Sequence, residues 1–176
     1  MRTLVVGGAR SGKSHAAETA LADRPDVTYV ATGYGAADDP EWAERIALHR
    51  SRRPPGWATV ETLDLAGVLT SPGGPLLVDC LTLWLTRVMD RHSCWDDHAW
   101  DAGGADALAG EVEALLSALR GTSRDVVLVS NEVGQGVVPA TSSGRRFRDQ
   151  MGLLNIDVAG ECDDVMWCVA GRVVRM

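Results

Sequence analysis

Eight residues near the N-terminus constrain this chain more than any other feature. They fit the pattern G-x-x-x-x-G-K-[ST] and read Gly7-Gly8-Ala9-Arg10-Ser11-Gly12-Lys13-Ser14. Glycines let the backbone curl so that successive N–H groups point at phosphate oxygens, and a helix that follows directs the positive end of its dipole there. Apolar residues before the pattern predict a strand, and the residues after it predict a helix. The segment therefore predicts a phosphate-binding P-loop.

The chain has 17 Lys and Arg residues together, and Lys13 is its only lysine. An ammonium is a compact point charge, which suits contact with a phosphate. We therefore expect Lys13 to reach the outer phosphates of a nucleotide and the Ser14 hydroxyl to help hold Mg²⁺. The alternative is a glycine-rich turn in which the lysine is incidental.

Length and charge restrict the class of protein further. A chain of 176 residues is most simply one domain with its own core, and a hydrophobic content of 45% is ordinary for a globular protein. The net charge of −7 argues against nucleic acid as the main partner. No apolar run is long enough for a membrane span, and the first residues predict a strand rather than a signal peptide, so we expect a cytoplasmic protein. The four cysteines lack C-x-x-C spacing, which favours free thiols.

Strand and helix patterns alternate along the chain. Apolar runs predict strands at residues 2–6, 27–31, 58–61, 75–79, 125–130, 165–170 and 173–174. Helical patterns begin at Ser14 and also cover residues 38–53, 83–88, 105–120 and 143–162. The polar stretch 92–104, which carries two tryptophans, is predicted to be a mobile loop or a peripheral excursion. This alternation predicts an α/β fold with helices packed around a mostly parallel sheet.

Asp79 ends the apolar strand 75–79 and is a candidate magnesium ligand. A carboxylate in that position of a P-loop protein holds Mg²⁺ directly or through water. The alternative is an aspartate that caps the helix after the strand.

His49 is a candidate nucleophile because of the residues around it. It is followed by Arg50, Arg52 and Arg53, and it lies one helical turn after Arg45. A neutral imidazole is a good nucleophile toward phosphorus, and neighbouring guanidinium groups would neutralise a triphosphate and favour the neutral imidazole. The same spacing fits a solvated basic helix face with an uninvolved histidine. Spacing alone leaves both interpretations open.

A glycine-punctuated loop follows the strand 125–130 and begins Asn131-Glu132-Val133-Gly134. Because the carboxyl ends of parallel strands meet at one edge of a sheet, this loop should face the same side as the P-loop. It is therefore either a binding segment for a second substrate or a structural turn. His15, His92 and His98 have no convincing ligand spacing, so we predict no metal site built by the protein alone.

Four blocks of this sequence resemble one family. The first is the P-loop, and the others are Glu44-Arg45-Ile46-Ala47-x-His49-Arg50 with Arg53-Pro54 and Trp57, Leu76-Leu77-Val78-Asp79-Cys80-Leu81-Thr82, and Asn131-Glu132-Val133-Gly134-x-Gly136-Val137-Val138-Pro139 with Arg146-Phe147-Arg148-Asp149. They are similar to blocks of the bifunctional adenosylcobinamide kinase / adenosylcobinamide-phosphate guanylyltransferase family of cobalamin biosynthesis. The second and fourth blocks are the most specific, because many unrelated NTPases carry a P-loop.

The resemblance implies a transferase with two reactions. ATP or GTP phosphorylates the aminopropanol hydroxyl of adenosylcobinamide. A histidine, here His49, then attacks the α-phosphorus of GTP, releases pyrophosphate and passes GMP to adenosylcobinamide phosphate. The resemblance also implies a P-loop NTPase fold, namely a RecA-like three-layer sandwich, and a homotrimer.

The resemblance further implies which residues act. His49, Lys13 and Asp79 would be catalytic, and Ser14 and Asp79 would hold Mg²⁺. The nucleotide would lie against Gly7, Gly8, Ala9, Arg10, Ser11, Gly12, Lys13, Ser14, Ala31, Thr32, Gly33, Arg50, Ser51, Arg52, Arg53, Glu61 and Asp79.

Two other functions stay open from the residues alone. The first is a single-function small-molecule kinase in which His49 is structural. The second is a nucleotide-dependent switch module, although the acidic charge and the lack of a basic tail count against it. The chain departs from the family where Asn155-Ile156 stands in place of Asn-Gln, and the stretch 92–104 matches no motif of the family.

Overall fold

A computed structural model describes residues 1–33, 40–51 and 53–176 of the chain. Within 40–51, the backbone is described but five side chains are not, namely those of Glu41, Trp42, Arg45, Leu48 and His49. The first two residues of the predicted helix 38–53, Arg52, and the side chains of Arg45 and His49 therefore lie outside the described residues.

Seven strands form one sheet within the described ranges. They are β1 (Arg2–Gly7), β2 (Thr28–Ala31), β3 (Ala58–Glu61), β4 (Leu76–Asp79), β5 (Val126–Asn131), β6 (Asp164–Val169) and β7 (Arg172–Arg175). Their order across the sheet is β3-β2-β4-β5-β1-β6-β7. Neighbouring strands are parallel except β6 and β7, which are antiparallel. The predicted mostly parallel sheet is confirmed, and the carboxyl ends of β1 to β6 share one edge.

Helices join and cover these strands. They are α1 (Lys13–Ala20), α2 (Pro40–Ser51), α3 (Leu65–Thr70), α4 (Leu81–Arg91), α5 (Asp97–Ala99), α6 (Ala105–Gly121) and α7 (Ser142–Gly160). The short helix α3 has no counterpart among the predicted helices, and at its N-cap the Asp64 carboxylate accepts from the Gly67 amide at 2.8 Å. In the part of the chain that the structure describes, no helix is both long and apolar enough to cross a membrane.

The sheet is packed on both faces, which gives three layers. Successive residues of β1 point to opposite sides, so Leu4 and Val6 belong to one apolar cluster and Val5 belongs to the other. Residues of α3, α4, α6 and α7 fill the first cluster, which includes the buried Trp84. The second cluster contains Ala17 of α1. The four cysteines are free thiols, as the sequence predicts.

The stretch 92–104 consists of turns and short helical segments packed against α7, so of its two predicted forms the mobile loop is wrong and the peripheral excursion stands. It contains α5 and a π-type turn that leads into α6. The ring of Trp95 lies 5.8 Å from that of Phe147, and the guanidinium of Arg146 lies 4.7 Å from the ring centre of Trp100. Both partners belong to α7, about fifty residues further along the chain. The local sequence contains the tryptophans, but it does not indicate that α7 packs against them.

Candidate active site

The P-loop joins the carboxyl end of β1 to the first residue of α1. Arg10 and Gly12 adopt left-handed backbone conformations, with φ of 56° and 100°. These conformations curl the loop, and Lys13 then begins a helix of 8 residues. The strand–loop–helix context that the motif requires is therefore present, at the positive end of a helix dipole.

Lys13 is held inside this loop. It is only 8% exposed, and its Nζ donates a hydrogen bond to the Gly8 carbonyl at 2.6 Å. A buried ammonium needs acceptors of this kind, because an unpaired buried charge is costly. The charge consequently lies between the two ends of the loop.

The β6–β7 hairpin supports the P-loop from its other side. A Cβ at Gly7 would collide with the carbonyl oxygen of Cys168 and lie 2.8 Å from Ser11 Oγ, so only glycine fits there. The Gly171 amide donates to the Ser11 carbonyl at 3.1 Å. The Ser11 hydroxyl is buried and has no hydrogen-bond partner among the described residues.

Thr32 fastens the end of β2 to the end of β4. Its hydroxyl donates to the Cys80 carbonyl at 2.7 Å and accepts from the Cys80 amide at 3.0 Å, and the residue is fully buried. Arg87 of α4 donates to the carbonyls of Thr32 and Gly33 at 3.2 and 3.0 Å. The turn after β2 is therefore fixed from two directions.

The Asp79 carboxylate accepts a hydrogen bond from the Tyr29 hydroxyl across the sheet. Burial, followed by the charge of Asp79, raises the pKa of Tyr29 above its ordinary value, so the phenol remains a donor. The N-cap of α4 is Cys80, so Asp79 does not occupy the cap position that was the alternative for it. Burial and the Asp79 charge raise the pKa of the Cys80 thiol to about 11, which keeps it protonated and unreactive at neutral pH.

The end of α2 lies over β2 and β3. Arg50 forms an ion pair with Glu61 at 3.1 Å, and both side chains are mostly exposed. The Arg53 guanidinium lies 3.2 Å from the ring centre of Tyr29 and donates to Thr59 Oγ1 at 3.1 Å. An exposed ion pair adds little stability. Its importance is positional, because it places Arg50, the residue after His49, beside the carboxylate that ends β3.

The loop after β5 is tied to both the P-loop and α7. The Glu132 amide donates to the Gly7 carbonyl at 3.0 Å, and the Glu132 carboxylate accepts from the Gly134 amide. Arg148 of α7 donates to the Gly134 carbonyl at 2.7 Å, and Asn155 of α7 donates to the Asn131 carbonyl at 3.1 Å. This network supports an ordered loop that faces the P-loop.

The described candidate residues reach one edge of the sheet. The P-loop follows β1, and the other members of the edge are Ala31 ending β2, Thr32 and Gly33 after it, Glu61 ending β3, Asp79 ending β4, Arg50 and Ser51 ending α2, and Arg53 just beyond α2. The backbone of His49 lies in α2.

Three residues that hold this edge, Tyr29, Arg148 and Asn155, have no site role predicted from the sequence, although Arg148 and Asn155 stand in the segments compared with the family. Tyr29 lies in β2, and Arg148 and Asn155 lie in α7, whose buried residues are Met151, Leu154 and Val158. A polar side chain on a packed element indicates a specific hydrogen bond. Its partner lies on another element, so only the folded structure identifies it.

Tyr29→Phe tests the contact with Asp79. We expect the free energy of unfolding to fall by about 2 kcal/mol, because a buried donor to a carboxylate is lost. Urea denaturation measures it. Ser142→Ala is the matched control, since its hydroxyl bonds to the Asp97 carboxylate at 3.0 Å on the exposed surface, where removal changes stability by about 0.5 kcal/mol or less. Equal stabilities of Tyr29→Phe and the original chain would contradict the assignment.

The sequence of this chain is similar to those of a known protein family. Residues 3–176 match the CobU family, described as cobinamide kinase / cobinamide phosphate guanyltransferase. The chain is 46% identical over 176 residues to the bifunctional adenosylcobalamin biosynthesis protein CobP of Pseudomonas aeruginosa, covering 97% of this chain and 94% of that protein. It is 37% identical over 182 residues to the bifunctional adenosylcobalamin biosynthesis protein CobU of Escherichia coli, covering 100% and 99%.

A solved structure supports the fold independently. The chain is similar to an ATPase from the type III secretion system of pathogenic bacteria, with a TM-score of 0.59 and 11% identity over 94% of this chain, and it spans 50% of that chain. This likeness concerns the P-loop NTPase architecture alone. The family match extends over nearly the whole sequence, and the chain therefore belongs to the family of cobinamide kinase / cobinamide phosphate guanyltransferases, which are transferases of cobalamin biosynthesis.

Proposed function

We propose that this chain phosphorylates adenosylcobinamide and then guanylylates the product through a histidine intermediate, with one P-loop as the phosphate site for both reactions. The observation that carries the proposal is the shared edge of the sheet. There, the buried ammonium of Lys13, the carboxylate of Asp79 and the Arg50–Glu61 pair lie at the ends of parallel strands.

In the kinase reaction, the P-loop binds the outer phosphates of ATP or GTP. The acceptor hydroxyl oxygen bonds to the γ-phosphorus, the bond from that phosphorus to the bridging oxygen breaks, and the nucleoside diphosphate leaves. Lys13 stabilises the charge that builds on the transferred group, because its ammonium is already held within the loop.

In the guanylyl reaction, His49 is the nucleophile. Its neutral imidazole bonds to the α-phosphorus of GTP, and pyrophosphate leaves with its charge stabilised by the P-loop and Lys13. A phosphate oxygen of adenosylcobinamide phosphate then bonds to the same phosphorus and displaces the imidazole. The P-loop fixes the terminal phosphates, so the nucleophile must approach from the nucleoside side, where the end of α2 lies over β2 and β3.

The nucleoside side of GTP is assigned to the edge formed by β2, β3 and β4. Thr32 and Gly33 provide a turn held by Cys80 and Arg87. Glu61 and Arg50 supply a carboxylate and a guanidinium that suit the hydrogen-bonding edge of a guanine or a ribose. Arg52 belongs to the same proposed set and lies outside the described residues.

Ser14 and Asp79 are the proposed magnesium ligands. A hydroxyl and a carboxylate oxygen are the donors that Mg²⁺ takes from a protein when phosphates and water complete its shell. Among the described residues, no three His, Cys, Asp or Glu side chains are grouped to hold a metal ion. Bound Mg²⁺ would neutralise phosphate charge during transfer. Tyr29 orients the Asp79 carboxylate for this role through its hydrogen bond.

We also propose that the chain acts as a single domain, assembles as a homotrimer and works in the cytoplasm. The resemblance to the family is the support for the trimer. Several exposed apolar side chains offer contact area for an assembly, among them Val137, Val138, Leu153, Ile156 and Val174.

GTP labelled at its α-phosphate tests the central step. Incubation without corrinoid should give a covalent adduct on the chain and release pyrophosphate. A histidine phosphoramidate is labile to acid and stable to alkali, and peptide mapping should place it at His49. GTP labelled at the γ-phosphate is the control and should leave no label on the protein. An unlabelled protein, or an adduct on another residue, would contradict the proposed intermediate and favour the single-function kinase.

A further inference from the structure

A cavity of about 390 Å³ lies beside the P-loop, between the carboxyl ends of β5, β1 and β6. The residues around it come from the P-loop, the loop after β5 and the end of β6, and include Gly8, Ser11, Glu132, Gln135, Trp167 and Val169. None of the residues proposed for the nucleoside on β2, β3 and β4 lines it. The cavity therefore borders the phosphate site without being part of the nucleoside side.

The outer phosphate of a bound nucleotide would face this cavity. Lys13 donates to the carbonyl of Gly8, and Gly8 is a wall of the cavity. The lysine of a P-loop contacts the β- and γ-phosphates. The γ-phosphorus would consequently lie next to the cavity, which is the position an acceptor must reach.

Glu132 brings a fixed carboxylate to the same cavity. Its amide is bonded to the Gly7 carbonyl at 3.0 Å, so the residue is anchored to the start of the P-loop. Its carboxylate accepts from the Gly134 amide, and Gly134 is itself held by Arg148 at 2.7 Å. One carboxylate oxygen is occupied in this way, and a carboxylate has further acceptor sites for a substrate hydroxyl.

The remaining lining consists of a nearly buried serine and an apolar wall. Ser11 is 7% exposed, and its buried hydroxyl has no hydrogen-bond partner among the described residues. Trp167 and Val169 provide apolar surface in the same lining. A small arm with one hydroxyl would bond to Glu132 and cover the apolar wall.

We propose that this cavity receives the hydroxyl-bearing arm of the kinase acceptor and that Glu132 is the general base of the phosphoryl transfer, an inference that rests on the proposed function for the identity of the acceptor. The acceptor hydroxyl gives its proton to a Glu132 oxygen as its own oxygen bonds to the γ-phosphorus. The bond from that phosphorus to the bridging oxygen breaks, and the nucleoside diphosphate leaves. At about 390 Å³ the cavity holds an aminopropanol-sized arm, and the corrinoid ring stays outside.

Glu132→Gln is the decisive variant, because a glutamine oxygen still accepts from the Gly134 amide while the base is lost. We expect the kcat of phosphoryl transfer to cobinamide to fall by about 10²- to 10⁴-fold with little change in the KM of the nucleotide. In this variant the rate at which α-labelled GTP labels the protein without corrinoid should be unchanged, since no acceptor takes part.

Val169→Trp fills the cavity from a partly exposed position. It should raise the KM of cobinamide about 10-fold and leave the rate of protein labelling unchanged.

Three results would overturn the inference. A kcat of Glu132→Gln within about threefold of the original would exclude the base. A parallel loss of protein labelling in this variant would show that Glu132 serves the nucleotide instead. An unchanged KM of cobinamide in Val169→Trp would place the acceptor elsewhere. Failure of the original chain to label at all would contradict the histidine intermediate alone, because the kinase comparison of Glu132→Gln does not depend on it.

Discussion

Replacement of Lys13 by alanine should lower the rates of both phosphoryl and guanylyl transfer by about 10²- to 10³-fold, the usual cost of removing one preorganised donor to a developing negative charge. The same ammonium would stabilise the transferred γ-phosphoryl group in one reaction and the leaving pyrophosphate in the other. The residue is 8% exposed and bonded to Gly8, so the ammonium is in place before a nucleotide binds. Steady-state kinase rates and α-labelling of the protein measure the two effects separately.

Two further variants sharpen this test. Lys13→Arg keeps the charge but places a wider planar group in a buried site, so we expect a loss close to that of alanine. Arg120→Ala removes an exposed cation that pairs with Glu161 at 2.6 Å, and it should leave both rates unchanged. If Lys13→Ala lost one activity and kept the other within a few-fold, the two reactions would not share one phosphate site.

The part of this fold that sequence could predict is the part set by local pattern. Buried strands, the P-loop and the helix after it follow from apolar runs and glycine spacing over a few residues. Parallel strands then bring their carboxyl ends to one edge, which is enough to place Asp79 and the loop after β5 on the same side as Lys13. The order of the strands does not follow from such patterns, because it depends on contacts between distant segments.

The wrong prediction of a mobile loop for residues 92–104 and the unpredicted role of Tyr29 have the same physical origin, namely contacts between distant segments. The stretch 92–104 looks loop-like because its local sequence is polar, whereas its tryptophans pack against Phe147 and Arg146 of α7, far along the chain. Likewise, the local sequence identifies Tyr29 only as a residue of strand β2. Its hydrogen bond to Asp79 of β4 is known only from the structure. A hydrogen bond or ring contact between elements far apart in sequence leaves no periodic signal.

The candidate site divides into two sides around one phosphate loop. Glu61, Asp79 and the end of α2 lie toward β3, β2 and β4, whereas Glu132 and the cavity lie toward β5, β1 and β6. On the proposed assignments, the nucleoside and its histidine nucleophile occupy the first side, and the acceptor hydroxyl approaches from the second. The two transfers therefore use different phosphorus atoms of a nucleotide held in one place, and their catalytic groups should be separable by mutation.

The variant His49→Asn is expected to separate guanylyl transfer from phosphoryl transfer. Asparagine keeps polarity and approximate size but offers no nucleophilic nitrogen, so covalent guanylylation and GMP transfer should fall by at least about 10³-fold. Phosphoryl transfer to adenosylcobinamide should stay within about threefold, because γ-transfer uses Lys13 and Glu132 on the proposed mechanism and makes no bond to the imidazole. Production of adenosylcobinamide phosphate and its GDP derivative, followed in the same reaction by chromatography, reports both steps at once.

The matched control is His98→Asn, which changes an exposed histidine of α5 and should affect neither product. The variant should also be supplied with adenosylcobinamide phosphate directly, so that a weak first step does not limit the second. Circular dichroism and urea denaturation establish that its fold is intact. If a folded His49→Asn protein lost both reactions to the same extent, His49 would act on nucleotide binding rather than as the nucleophile, and the division between the two sides would be wrong.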